Sequence, residues 1–204
     1  VKPGDVLAEV QGSAQAILSG ERVALNFIQR LSGIATQTRK LVDIVADFPV
    51  RIVDTRKTVP GLRFLEKYAV RTGGGHNHRF SLSDAVLIKD NHIIAAGGIT
   101  AAVELARKNV PHTMTIEVEV ETEEQVREAL AARADIIMLD NMSLEQMREM
   151  VKLIDGRAKV EASGNITEEN IRAVAETGVD IISVGALTHS ANALDISLDL
   201  KLLE

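Results

Sequence analysis

The chain has 204 residues, a formal net charge of −6, 46% hydrophobic and 25% charged residues, and no Cys. That length suits one well-buried α/β domain with a smaller appendage, and the missing Cys excludes a disulfide framework, a thiol nucleophile and a thiolate-bound metal, so a reducing, cytoplasmic setting is expected. The acidic balance and 2% aromatic content leave neither a basic field nor stacking platforms for nucleic acid, and no apolar run approaches the ~20 residues that a membrane span needs.

The opening Val1-Lys2-Pro3-Gly4-Asp5 reads as the tail of an element, and residues 1–20 are expected to be the remnant of a smaller N-terminal α/β domain. Val6, Leu7, Val10 and Ile17, set around Gly4 and Gly12, predict two short strands and a turn. Ser19-Gly20-Glu21-Arg22 predicts a helix start with Ser19 as the cap. Apolar residues then recur with a helical period from Val23 to Val45, giving one long helix, or two separated near Gly33, that ends about Asp47.

From Val50 the pattern changes to short β-rich runs alternating with amphipathic helices. Strands are predicted at Arg51–Asp54, Ala85–Ile88, Met114–Val120, Ile136–Leu139, Lys159–Ala162 and Ile181–Val184. Helices are predicted around Leu62–Tyr68, Ala101–Asn109, Glu123–Ala132, Leu144–Ile154 and Glu168–Glu176. Serial β-then-α units with short connections imply a parallel sheet. Polar or small groups end every strand, as in barrel enzymes, and no Gly-x-Gly-x-x-Gly follows the first strand. The expectation is a TIM-like open parallel α/β barrel over residues 21–204, led by the long helix.

Five groups of residues carry the candidate chemistry. Asp54-Thr55-Arg56-Lys57-Thr58 places two cations at a strand end, suited to a multiply charged anion. Arg71 to Arg79 surrounds three glycines with two arginines and two histidines, which suits anion recognition better than zinc, since His76 and His78 lack a third ligand at useful spacing. Lys89 at the next strand end is open to two readings, a Schiff-base nucleophile or a plain cationic clamp. Glu117, Glu119 and Glu121 alternate with apolar residues and should face the barrel interior, where with Asp140 they read as a hard-cation or hydroxyl site. Finally, Glu161-Ala162-Ser163-Gly164-Asn165 and Ser183-Val184-Gly185-Ala186-Leu187-Thr188-His189 offer small residues beside helix starts, a common phosphate cradle.

These motifs, with Gly20-Glu21-Arg22, Gln29-Arg30-Leu31-Ser32-Gly33-Ile34-Ala35-Thr36 and Leu87-Ile88-Lys89-Asp90-Asn91-His92, resemble the quinolinate phosphoribosyltransferase family over essentially the whole chain. The resemblance implies an open, seven-stranded-type barrel in a homodimer, or a higher assembly of dimers. It implies a reaction of quinolinate with phosphoribosyl pyrophosphate (PRPP) and Mg²⁺ that gives nicotinate mononucleotide, pyrophosphate and carbon dioxide. Carried over by position, Arg22, Thr55, Arg56, Lys57, His78, Arg79 and Lys89 are implied to bind quinolinate and pyrophosphate, with Arg22 reaching across the dimer. Glu119 and Asp140 are implied to meet the ribose hydroxyls and Mg²⁺, and Lys57, Lys89, Glu119 and Asp140 form the implied catalytic set. Ser163, Gly164, Asn165, Val184, Gly185, Ala186 and His189 are the implied 5′-phosphate site; Asn165 stands where many relatives carry Gly. The competing readings are a transferase acting on nicotinate, a non-catalytic binder of a phosphorylated ligand, and an aldolase using Lys89.

Overall fold

Ser13, rather than Ser19, starts the leading helix: its hydroxyl accepts the Ala16 N–H at 3.2 Å, and α1 runs unbroken over Ala14–Ile44. The computed structural model describes residues 1–201 and assigns no strand to residues 1–13, which corrects the two expected strands. Ile17 lies in the first turn of α1, and the Ser19 hydroxyl donates to the Gln15 carbonyl at 2.7 Å. The physical reason is that a lone two-stranded ribbon is marginal without a third strand or a helix to cover it, and residues 1–12 are exposed throughout. Gly33 does not break the helix either. It is buried there because the backbone of Asn192 packs directly against it.

The remaining elements are β1 (Arg51–Val53), α2 (Arg63–Thr72), β2 (Val86–Ile88), α3 (Asp90–Ala96), α4 (Ile99–Asn109), β3 (Ile116–Val120) and α5 (Glu123–Ala131). They continue with β4 (Ile136–Asp140), α6 (Leu144–Ile154), β5 (Lys159–Ser163), α7 (Ile171–Ala175), β6 (Ile181–Ser183) and α8 (Ala186–His189). All strand pairs are parallel, in the order β1-β6-β5-β4-β3-β2. From β2 to β6 each strand is laid beside its predecessor, and β1 joins beside β6. That order winds in one direction with no reversal, so there is no switch point of the doubly wound kind. It is the order of an open ring with its gap between β1 and β2.

The glycine run partly fills that gap. Cβ atoms at Gly73 and Gly75 would press into Thr38 of α1 at 2.7 Å, and Gly74 has φ +90°, so only glycine lets the chain turn back here. His76 then bridges Val53 in parallel, its N–H donating to the Ile52 carbonyl at 2.8 Å. This segment lies where a further strand would complete the ring.

The core is aliphatic: Ile88, Val118, Val120, Ile137, Leu139, Val160, Ala162 and Ile182 on the strands meet Val103, Val126, Met147, Met150, Ile154 and Val174 from the helices. Thr122 with Gln125 and Ser143 with Gln146 form reciprocal capping boxes that start α5 and α6 within a few residues of the preceding strand ends. The strand ends therefore form a narrow rim, with little loop between chemistry and scaffold. No described helix is long and apolar enough to cross a membrane.

Candidate active site

Because the strands are parallel and in register, their C-terminal ends share one rim. Val53 pairs with Ser183, Ile88 with Val118, Val120 with Leu139, and Asp140 with Ser163. Around the rim this places Thr55, Arg56 and Lys57 after β1, His78 and Arg79 in the gap, Lys89 after β2 and Glu119 near the end of β3. Asp140 ends β4, Ser163, Gly164 and Asn165 follow at β5, and Val184, Gly185, Ala186 and His189 follow at β6. Arg22 is the exception. It is exposed on α1, roughly 12 Å along the helix axis from Arg30, whose guanidinium donates to the Thr188 carbonyl at 3.1 Å, and is not brought to the rim by this chain's own fold.

Two arcs of the rim differ in character. In one, the Lys89 ammonium is paired with Glu119, a partly exposed contact that presents a cation and a carboxylate together. Asp140 lies one strand on, its Oδ2 accepting the Asn141 side-chain N–H at 2.8 Å. In the other, Lys57 and His189 close over Gly185: a Cβ there would lie 3.3 Å from Lys57 Cδ and 3.2 Å from His189 Nε2. The Thr188 hydroxyl donates to the Lys57 carbonyl at 2.7 Å and ties the two loops together. Between the arcs, Arg79 donates to the Ala85 carbonyl at 3.0 Å. Burial and the neighbouring charge of Arg56 both lower the Arg79 pKa, as expected when cations crowd one pocket.

Beneath the rim is a buried polar layer that sequence reasoning saw only in part. Asp54, fully buried, is paired with the buried Lys67 of α2; it also accepts the Asn77 side-chain N–H at 2.6 Å and the His78 N–H at 2.9 Å. Lys67 donates to the His78 carbonyl at 2.9 Å. Desolvation pushes the Asp54 pKa upward, and Lys67, Asn77 and the His78 N–H only partly offset it. This network fixes the backbone that carries His78 and Arg79.

The His78 ring points down into the barrel. Its Nε2 is 3.1 Å from Glu117 Oε2 and 3.6 Å from Glu161 Oε2, and both glutamates are at most 2% exposed. The second oxygen of each carboxyl has no protein partner among the described residues. Burial alone would lower the His78 pKa; the hydrogen bond to Glu117 and the charges of both glutamates outweigh it, and the net shift is upward. Burial first, and Glu117 second, push Glu161 up to about 8.

The ligand atoms of His78, Glu117 and Glu161 lie within 4.8 Å of one another, a spacing that a metal could bridge. The hydrogen bonding argues otherwise. His78 Nδ1 accepts the Arg79 N–H at 2.8 Å, so in the neutral ring the proton sits on Nε2 and leaves no lone pair there for a metal. The cluster is a donor imidazole over a carboxyl pair. Of the three glutamates read as inward-facing, Glu117 is buried and Glu119 lies on the rim, while Glu121 falls beyond the strand end and is exposed. Glu161 belongs with them, and the period-two alternation that singled out Glu117 also places it two residues before Ser163, on the same strand face.

Comparison with known proteins bears on this arrangement directly. The family model "Quinolinate phosphoribosyl transferase, C-terminal domain" matches residues 34–199, and the corresponding N-terminal domain model matches residues 1–32. A "Probable nicotinate-nucleotide pyrophosphorylase [carboxylating]" of Bacillus subtilis (strain 168) is 58% identical, over 98% of this chain and 69% of its own length. A protein of the same description from Synechocystis is 52% identical, over 98% of this chain and 69% of its own. Among solved structures, a NadC deletion mutant superposes with a TM-score of 0.95 at 50% identity, covering 100% of this chain and 72% of the other. NadC from Streptococcus pyogenes does so at 0.86 and 52% identity, covering 90% and 65%. Match by match over nearly its full length, and with a one-way parallel ring whose strand ends carry cations, carboxylates and small residues in turn, the chain belongs to the quinolinate phosphoribosyltransferase family.

Proposed function

We propose that this protein transfers the phosphoribosyl group of PRPP to quinolinate with loss of carbon dioxide, giving nicotinate mononucleotide and pyrophosphate for NAD synthesis. The observation that carries the reading is the single rim that gathers Arg56, Lys57, Arg79 and Lys89 with Glu119 and Asp140, Lys89 paired with Glu119 and the Gly185–His189 turn packed beside Lys57. Quinolinate bears two carboxylates, and a crowded cationic arc matches it better than it matches a monocarboxylate. The turn after β6 and the Ser163–Asn165 loop offer backbone N–H groups and His189 to the 5′-phosphate.

In this reading the cations hold the acceptor nitrogen in line with the anomeric carbon, so positioning supplies much of the rate. Departure of pyrophosphate builds positive charge on the sugar, which Glu119 and Asp140 stabilise where it develops. The ring nitrogen of the quinolinate nucleotide so formed is cationic and eases loss of the adjacent carboxylate as carbon dioxide, the ring carbon then taking up a proton from solvent. Glu119 and Asp140 are oxygen donors at adjacent strand ends and fit Mg²⁺, which takes one or two carboxylates and completes its shell with phosphate oxygens and water. When bound, it would neutralise charge on the leaving pyrophosphate. His78 enters as the anchor of Arg79, since both its ring nitrogens are already engaged.

The expected assembly is a homodimer, in which Arg22 would reach a partner's rim. A cytosolic setting is proposed on the cysteine-free composition; relatives from plants carry chloroplastic and mitochondrial names. The test is carbon dioxide release from quinolinate, with omission of PRPP or Mg²⁺ and with nicotinate as a parallel acceptor. Release that needs quinolinate, PRPP and Mg²⁺ supports the reading. Product from nicotinate but none from quinolinate would overturn it in favour of the monocarboxylate transferase.

A further inference from the structure

Asn141 follows Asp140 directly and has φ +53°, in the left-handed region that asparagine tolerates better than most residues. Its N–H donates to the Ser163 carbonyl at 2.9 Å, which continues the β4–β5 pairing past the strand ends. Its side chain then divides its two functions. Nδ2 donates to Asp140 Oδ2 at 2.8 Å, and Oδ1 accepts the Asn165 side-chain N–H at 3.0 Å. The amide can take only this orientation, because a carboxylate has nothing to donate. Oδ1 also occupies the space that a Cβ on Gly164 would need, and Gly164 (φ +95°) yields it. Asn165, at φ +50°, is held from its other side by Asn170, whose side-chain N–H donates to the Asn165 carbonyl at 2.9 Å.

We propose that Asn141 is a positioning residue that locks the Asp140 carboxylate and the Ser163–Asn165 loop into one fixed relation, so that the ribose hydroxyls and the 5′-phosphate of a single ligand are met together. The inference rests on the proposed function for the roles of those two groups. Its physical content is that one amide supplies both a donor and an acceptor. The donor leaves the second oxygen of Asp140 free for a ligand, and the acceptor stops the phosphate loop from swinging away from it. A carboxylate at this position would repel Asp140, and a serine would be too short to span the two partners.

The test uses ribose 5-phosphate and inorganic phosphate as probes in calorimetric titrations of the wild-type protein, Asn141→Gly and Asn141→Asp. Glycine adopts φ +53° freely, so Asn141→Gly keeps the backbone and removes only the side-chain links; thermal melting checks that it stays folded. The expected result is ribose 5-phosphate binding weakened on the order of tenfold in Asn141→Gly and further in Asn141→Asp, as two hydrogen bonds of ordinary strength imply. Inorganic phosphate should bind Asn141→Gly within about threefold of wild type, since it samples the loop without the Asp140 contact. In turnover, KM for PRPP should rise while KM for quinolinate stays unchanged. Equal loss of both probes would mean general disruption of the loop and would overturn the proposal, as would unaltered ribose 5-phosphate binding in Asn141→Gly. Wild-type protein that binds ribose 5-phosphate no better than phosphate would instead sink the assignment of the rim itself, and this proposal with it.

Discussion

Replacing Glu161 by Gln should flatten the pH dependence of stability and make the protein more stable than wild type in alkali. Glu161 is 1% exposed, and burial with the nearby Glu117 charge raises its pKa to about 8. In the unfolded chain the same group titrates near ~4.3. Between those values the native state holds a proton that the unfolded state has lost, so stability falls as pH rises through that window and levels off above it. The span of nearly four pKa units sets a ceiling of about 5 kcal/mol, reduced in practice because Glu117 shares the charge. The upward shift of His78 has the same sign: its contribution is present below ~6.5 and fades as pH passes its raised value, so some slope survives in the variant. Glutamine keeps the volume and stands in for the protonated carboxyl without a titration. The assay is urea unfolding at about pH 5, 7 and 9, far enough above the range where ordinary carboxylates protonate. Wild-type and Glu161→Gln stabilities should converge at the acid end and separate at the alkaline end, with the variant higher. Parallel curves, or a variant weakened equally at every pH, would refute the claim that a proton is buried at this position.

Lys67→Met should cost about 3–5 kcal/mol in urea unfolding, because it leaves Asp54 buried without its cation; Lys67→Met combined with Asp54→Asn should recover part of that loss. Gly185→Ala meets only the flexible ends of Lys57 and His189 at 3.2–3.3 Å on a backbone of φ −63°, so the melting temperature should scarcely change. The same substitution should raise KM for PRPP on the order of tenfold by filling the cradle, while quinolinate binding alone stays near wild type.

The ring of strands was legible because each strand carries an apolar run, ends in polar or small residues and is followed by an amphipathic helix, and those signals are local. Residues 1–18 misled for a related reason. Their alternation suits a strand, but alternation settles nothing without a sheet to join, and Ser13 before Ala14-Gln15-Ala16 starts a helix instead. Helix α3 escaped notice because it is a short segment beginning at Asp90, with no buried residue to show a period. The rim residues were legible as strand-end motifs. The floor was not, because Asp54–Lys67 and His78–Glu117–Glu161 join residues whose neighbourhood depends on strand register and on the return of the glycine run beside β1. Sequence periodicity tells which face a residue takes, but not which residue of another element it meets there.

The difference between rim and floor has a mechanical consequence. Lys89–Glu119 spans a site where Lys89 is 44% exposed, so the pair contributes on the order of 1 kcal/mol or less and can open when anionic substrate arrives for Lys89. Asp54–Lys67 is buried on both sides, and separating it would cost several times more. Ligands can therefore rearrange the rim by exchanging one partner for another, while the backbone that carries His78 and Arg79 stays where the floor holds it. A catalyst that works mainly by positioning needs that division: charges free to change partners, fixed to a chain that does not move.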